Sequence, residues 1–285
     1  MMPALDAHRF RYDAMATTFE VVIAQDDIEL AYARQAADAV HQEIARLEDE
    51  LSRFRQTSDI WRISQLQAGE STRVGLAAFD CLALSKAVYE ETHGAFDITM
   101  APLLRLWRQN DGTPRQPHER ELEDARAIVG SQHFSLDQET LTVTVQASQM
   151  VFDLGGVGKG YALDQSLHIL EDWGIKNALL NAGDSTLLAI GRAPNEIGWP
   201  VSLSEGADAI VLRDQAVSGS GFQVQGAHII DPRTHAPVPP RPKRSFAIAP
   251  TAALSDALST AFAILSQEEV DAICQRNPGV ETRHC

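Results

Sequence analysis

Four glycines and a lysine fall together in Asp153-Leu-Gly-Gly-Val-Gly-Lys-Gly-Tyr-Ala162. A glycine turn entering a helix lets backbone N–H groups approach an anion, and a lysine adds a point charge there. The stretch is not a Walker loop, because Lys159 is followed by Gly160 rather than Ser or Thr. Nor is it G-x-G-x-x-G, which would need glycine at Tyr161. A plain strand-to-helix turn with a surface lysine accounts for the same residues equally well. A second group is Asp256, Ser259 and Thr260, at i, i+3 and i+4, so their oxygens share one helical face. One carboxylate and two hydroxyls are hard donors suited to Mg²⁺, although a helix-capping cluster also explains them. His228 opens His228-Ile-Ile-Asp231-Pro-Arg-Thr234 and has the side chain of a base near neutral pH, or of a structural histidine. Phe96 and Asp97 follow a helix stop at His93-Gly94 and read as a loop with an aromatic anchor.

The elements that must hold these groups mix types. Phe19–Ala24 reads as a strand, and from Asp26 to Phe54 the residues Val40, Ile44, Leu47, Leu51 and Phe54 form a helical stripe. That stripe is too short for a coiled coil and reads as a core-facing face. A helix over Leu76–Glu91 ends at Gly94, residues 109–120 are a polar loop, and a short acidic-start helix follows over 121–130. Strand signals crowd at 141–146, 150–155, 177–183, 186–191, 199–203 and 209–214. A helix after Gly160, closed by Gly174, interrupts them. Residues 236–244 are a proline-rich loop, 245–250 return to a strand, and Ala252–Gln275 reads as one helix. Without strict β-α-β alternation, this predicts an α+β fold: a single-chain mixed architecture with largely antiparallel sheets flanked by helices. No linker divides it, so a single domain over 1–285 is expected.

Composition narrows the partners. The 285 residues carry a formal charge of −15, which repels phosphate backbones and anionic lipid, so nucleic acid and membrane surfaces are poor partners. Hydrophobic content of 44% with 22% charged residues is ordinary for a globular chain. Cys81, Cys274 and Cys285 are too scattered for a disulfide framework or a thiolate zinc site, which fits a reducing compartment. No run of residues has the length of a signal-peptide core or a membrane span. A soluble, cytoplasmic protein without a membrane anchor is expected.

Each of these signals is weak singly, but their order along the chain is specific. MATTFE at 15–20, ELSRFRQTSDIWRIS at 50–64, THGAFDITMAPLLRLW at 92–107, DLGGVGKGYALD at 153–164, HIIDPRT at 228–234 and SDALSTA at 255–261 resemble the FAD:protein FMN transferase family, also called ApbE-type. The resemblance implies an α+β enzyme that uses Mg²⁺ to cleave FAD, moving FMN onto a Ser or Thr hydroxyl of an acceptor flavoprotein and releasing AMP. FAD pyrophosphatase activity and non-catalytic FAD carriage are the alternatives. By motif, Met15, Phe54, Ala95, Phe96, Asp97, Asp153, Lys159 and Ile230 are similar to the FAD-contacting positions. Asp256, Ser259 and Thr260 would give Mg²⁺ side-chain oxygens, Gly156 a backbone carbonyl, and His228 would be the base. Departures from the pattern are Asp184 after Gly183, Ser218-Gly219-Ser220 before the histidine, His235 in place of glycine, and Phe54 in place of tyrosine.

Overall fold

The computed structural model describes residues 7–284, apart from 108, 110–112, 184, 205–207, 221–228 and 240–243. The chain opens with a hairpin only half legible in its sequence. β1 (His8–Ala14) alternates Arg9, Arg11 and Asp13 with Phe10, Tyr12 and Ala14, and pairs with β2 (Thr17–Ile23). Only one face of this edge strand is covered, hence the alternation. Val40, Ile44, Leu47 and Leu51 are buried on α1 (Leu30–Leu51), as their spacing predicts. Phe54 does not close that stripe: the helix ends at an extended Ser52, and Phe54 is 77% exposed.

Ser58 caps the short α2 (Asp59–Ile63), and β3 (Ser71–Arg73) leads into α3 (Leu76–Glu91). The stop after α3 is a Schellman turn in which His93 adopts φ 50° and Gly94 N–H reaches back to Tyr89 O. α4 (Ala101–Leu106) and α5 (Glu119–Arg126) build a small apolar cluster around Leu103, Trp107 and Leu122. β4 (Phe134–Asp137) and β5 (Thr142–Val145) then join β3 in an antiparallel three-stranded sheet. The run 150–155 joins no sheet, contrary to its strand-like sequence. Phe152 N–H goes to Ser64 Oγ and Asp153 N–H to Ile98 O, so its backbone is satisfied by loops instead.

α6 (Gly158–Asp172) follows, closed by Gly174 at φ 70°. The remaining strands are β6 (Ala178–Ala182), β7 (Thr186–Ile190), β8 (Trp199–Val201), β9 (Ile210–Leu212), β10 (Gln215–Ser220), β11 (Ile230–Asp231), β12 (Ala236–Pro237) and β13 (Ser245–Ala249). The helix expected over 252–275 is two, α7 (Ala252–Phe262) and α8 (Gln267–Arg276), with β14 (Glu281–His284) at the end. Ser266 and Glu269 form a capping box that starts α8 and therefore ends the first helix.

Among the described residues the main sheet runs β1-β2-β6-β7-β10-β13-β14, antiparallel throughout. Its inner strands are covered on both faces. Phe19, Val21, Leu180 and Ala247 face the helices, while Val22, Leu179, Val217 and Phe246 face the β8–β9 hairpin and Trp199. Burial on both sides explains why β6 and β13 are apolar at nearly every position rather than at every second one.

On the helical face, α6 crosses α7 closely at Gly160. A Cβ added there would stand 2.3 Å from Ala252 O and 2.6 Å from Ala253 N, backbone atoms that cannot swing aside. Gly160→Ala gains helix propensity but must drive the two helices apart. It is expected to lower stability by about 1–3 kcal/mol in urea unfolding, the usual range for overpacking.

Candidate active site

The glycine turn ends where α6 begins. Asp153 Oδ1 accepts from Gly155 N–H at 3.0 Å, which folds the turn back on itself. Gly156 lies against Phe96 and Thr260: a Cβ there would be 3.1 Å from the ring and 3.2 Å from Thr260 Oγ1. Lys159 folds back so that Nζ donates to Gly155 O at 2.9 Å, with the ammonium 3.7 Å from Asp256 Oδ2. A cation and the N-terminus of a four-turn helix therefore converge on one spot.

Asp256 enters from α7 and is 4% exposed. Gly160 N–H and the Thr186 hydroxyl help to hold down the pKa of its carboxyl. Oδ2 is buried and has no hydrogen-bond partner. Burial pushes this carboxyl up from its ordinary value, and Lys159 draws it part of the way back. Thr260 stands one turn later, its hydroxyl 3.3 Å from Asp256 O. Ser259 does not share the exposed part of this face. It is fully buried, donates to Asp256 O at 2.9 Å, and meets Ser220 Oγ at 3.0 Å.

Two cavities meet at this spot. One, of about 270 Å³, has an apolar wall of Phe96, Ile98, Met100, Leu104, Ile230 and Ile264. Its floor carries Lys159, Ser185, Ser220, Asp256 and Thr260. The other, of about 200 Å³, is lined by Met15, Leu51, Phe54 and Leu154. Asp153, Gly155 and Lys159 belong to both. Met15 sits in the β1–β2 turn at φ 49°, beside Ala16 at φ 57°, and Met15 N–H is fastened to Glu48 Oε1 at 2.8 Å. Two non-glycine residues held in the left-handed region mark a turn whose shape is imposed by its surroundings. Arg53 lies 4.5 Å over the Phe54 ring and 3.4 Å from Asp153, so one face of the ring is backed by a cation.

Asp97 lines the larger cavity from behind a loop. Its Oδ1 accepts from Thr99 N–H, Thr99 Oγ1 and Ser131 Oγ, while burial pushes the carboxyl upward. On its far side a further polar cavity is lined by Tyr89, Gln132 and His235. Ala95 and Phe96 are buried in the cavity wall.

The proposed FAD-contacting set, Met15, Phe54, Ala95, Phe96, Asp97, Asp153, Lys159 and Ile230, is thus divided between two joined chambers. Gly156, Asp256 and Thr260 line the junction side of the larger one, and Ser259 lies a layer behind. His228 and Asp184 lie outside the described residues. His235 takes φ 60°, a conformation natural to the glycine it replaces, and accepts from Arg126 Nε at 3.3 Å. Burial and the Arg126 charge lower its pKa from the ordinary value. Gly219 is required by its neighbour, since a Cβ would meet the Phe246 ring at 2.4 Å. Ser185, Ser220, Thr186 and Arg53 are site residues not singled out from the sequence. Arg53 was accessible as the neighbour of Phe54, whereas the others are brought in only by strand pairing.

Chemically, the junction offers an anion a lysine and a helix N-terminus, between two chambers suited to planar groups. The orphaned Asp256 Oδ2, with Thr260 lining the same cavity, fits a divalent cation that takes its remaining ligands from backbone, water and phosphate. Among the described residues there is no group of three His, Cys, Asp or Glu that could hold a metal ion.

Known proteins resemble this chain in sequence and in fold. The model of the ApbE family matches residues 15–283. A protein of Escherichia coli K12 named FAD:protein FMN transferase is 28% identical over 247 residues, covering 79% of this chain and 70% of that protein. A namesake from Haemophilus influenzae is 24% identical and covers 92% of this chain and 82% of its own length. The apo crystal structure of Pseudomonas stutzeri flavinyl transferase ApbE superposes with a TM-score of 0.83 at 26% identity, covering 98% of this chain and 92% of that one. The Vibrio cholerae flavin transferase ApbE shares the fold, with a TM-score of 0.82 at 21% identity over 98% and 93% of the two chains. With its family model matched over nearly its whole length, the chain belongs to the ApbE family.

Proposed function

We propose that this chain is an FAD:protein FMN transferase, which moves the FMN moiety of FAD onto a Ser or Thr hydroxyl of an acceptor flavoprotein and releases AMP. One observation carries the reading: two chambers share Asp153, Gly155 and Lys159, with the orphaned Asp256 oxygen beside them. A dinucleotide has that shape, two ring systems joined by a diphosphate. The names borne by the relatives support the flavin as one ring and FMN transfer as the reaction.

In this reading Lys159 and the α6 N-terminus hold the diphosphate, and Phe54, backed by Arg53, offers a stacking face to one ring system. Phe96, Ile98 and Ile230 enclose the other. The acceptor hydroxyl oxygen forms a bond to the FMN phosphorus as the P–O bond of the diphosphate breaks, and that electron pair leaves on the AMP phosphate. His228 takes the hydroxyl proton. Asp256, Thr260 and the Gly156 carbonyl would hold Mg²⁺, which neutralises charge on the non-bridging phosphate oxygens. Ser259 braces Ser220 and the α7 backbone instead of joining that set. Among the described residues no helix is long and apolar enough to cross a membrane. Free Cys81 and Cys274 support a reducing, cytoplasmic setting.

The reading is tested by incubating the protein with FAD, Mg²⁺ and candidate flavoproteins and weighing the acceptor by mass spectrometry. An FMN adduct is expected, and an unmodified true acceptor would overturn the proposal. Free FMN appearing without any acceptor would instead identify a hydrolase. Asp256→Asn keeps the shape of the site but removes the charge facing the cation, and is expected to lower kcat by roughly 10²–10³-fold. Phe54→Ala should raise KM for FAD by about 2- to 10-fold with kcat little changed, the value of one stacking contact, as read from initial rates.

A further inference from the structure

We propose that Asp164 is a positioning residue for the reaction: its carboxylate sets the register of α7 on α6 and thereby the spacing of Lys159, Asp256 and Thr260. The inference rests on the functional reading above. Asp164 lies on α6, five residues after Lys159, and reaches across to the start of α7. Oδ1 accepts from Ala252 N–H at 2.7 Å and Oδ2 from Ala253 N–H at 2.9 Å. Beside this tie the backbones approach closely at Gly160 and Ala252. The pair of helices is therefore fixed by the Asp164 hydrogen bonds and the Gly160 contact together, and the 3.7 Å separation of Lys159 Nζ from Asp256 Oδ2 follows from that register.

A simple cap would not need this residue. Thr251 already caps α7, accepting from Leu254 N–H within the same helix end. Ionising Asp164 costs the fold stability. Burial pushes its carboxyl up to about 6 despite both amides and the opposing influence of His168. A folded-state value above the ordinary one means that stability falls as the pH rises from about 4 to 6, where the folded protein holds the proton more tightly than the unfolded chain. A charged carboxylate kept at such a place is explained by alignment, since displacing a reacting group by about 1 Å can cost about 10²-fold in rate.

The test compares Asp164→Asn, which loses the charge and one acceptor, with Thr251→Ala, which loses a cap on the same helix end but leaves the tie to α6. For Asp164→Asn we expect kcat to fall about tenfold or more, with KM for FAD within about twofold and the half-saturating Mg²⁺ concentration raised severalfold. Its amide hydrogen exchange should quicken from Ala252 through Thr260 and at Gly160. Thr251→Ala should lower the melting temperature by a few degrees, leave kcat and Mg²⁺ half-saturation within about twofold, and quicken exchange at the first turn of α7 alone. Unchanged kcat and Mg²⁺ dependence in Asp164→Asn, or equal losses in Thr251→Ala, would overturn the inference. Should Asp164→Asn fail to fold, Asp164→Glu, which keeps the carboxylate on a longer arm, is judged by the same criteria. If the wild-type protein transfers no flavin, the functional reading fails, while amide exchange still decides Asp164. Faster exchange confined to Ala252–Leu254 would make it a local cap.

Discussion

The backbone contact between α6 and α7 at Gly160 is the constraint on which the site depends. Lys159 precedes that contact by one residue, and Asp256 follows Ala252 by one turn, so two segments almost a hundred residues apart deliver opposite charges to one point. Glycine allows the helices to approach, but it does not hold them together. Holding falls to the Asp164 hydrogen bonds and to the sheet beneath, whose strands β10 and β13 run under α7 and present small residues, Ala216, Ala247 and Ala249, to the helical layer. Large side chains there would lift α7 and open the junction. The small-residue content of these strands is thus a requirement set by the site, passed down through one layer of packing.

Charge follows the same local logic. A chain with a formal charge of −15 binds a polyanion only where the field is reversed over a few ångströms. Lys159 and the amides opening α6 supply that reversal in the proposed reading. Arg53 answers Asp153 on the neighbouring wall, so the carboxylate shared by both chambers is not left to repel the ligand. Net charge bears on nonspecific partners and says little about the few charges that line a pocket.

How much of this was legible in the sequence depended on whether the information was local. The glycine turn, the Asp256–Thr260 spacing and the stripe of α1 could be read because one helix or one turn determines them. Phe54 was misread as the last member of the α1 stripe, since periodicity carries no mark of where a helix ends without a strong stop residue. Residues 150–155 look like a strand because Met150, Phe152 and Leu154 are buried, yet burial there comes from loops on either side, and no neighbouring strand offers hydrogen bonds. The break between α7 and α8 was written in Ser266 and Glu269, but the apolar period runs through it. Ser220 and Thr186 could not be assigned to the site at all without the pairing of β7 with β10. The small polar residues that shape a site are often those whose only signature is their neighbour across a sheet.

Thr186 is the end of a short series of hydroxyls. It helps to hold down the Asp256 pKa, and it accepts from Ser218 Oγ at 3.2 Å on the adjacent strand. A backbone amide has a fixed dipole, whereas a hydroxyl proton turns about its C–O bond with little hindrance. Asp256 is therefore solvated, in a place without bulk water, by groups that can reorient as the charge before them changes. When a cation or phosphate arrives or departs, the proton pattern along Thr186 and Ser218 can reverse without moving a heavy atom. The interior behind the carboxylate behaves as a small adjustable dielectric, and a rigid core acquires the electrical softness that successive charge states demand.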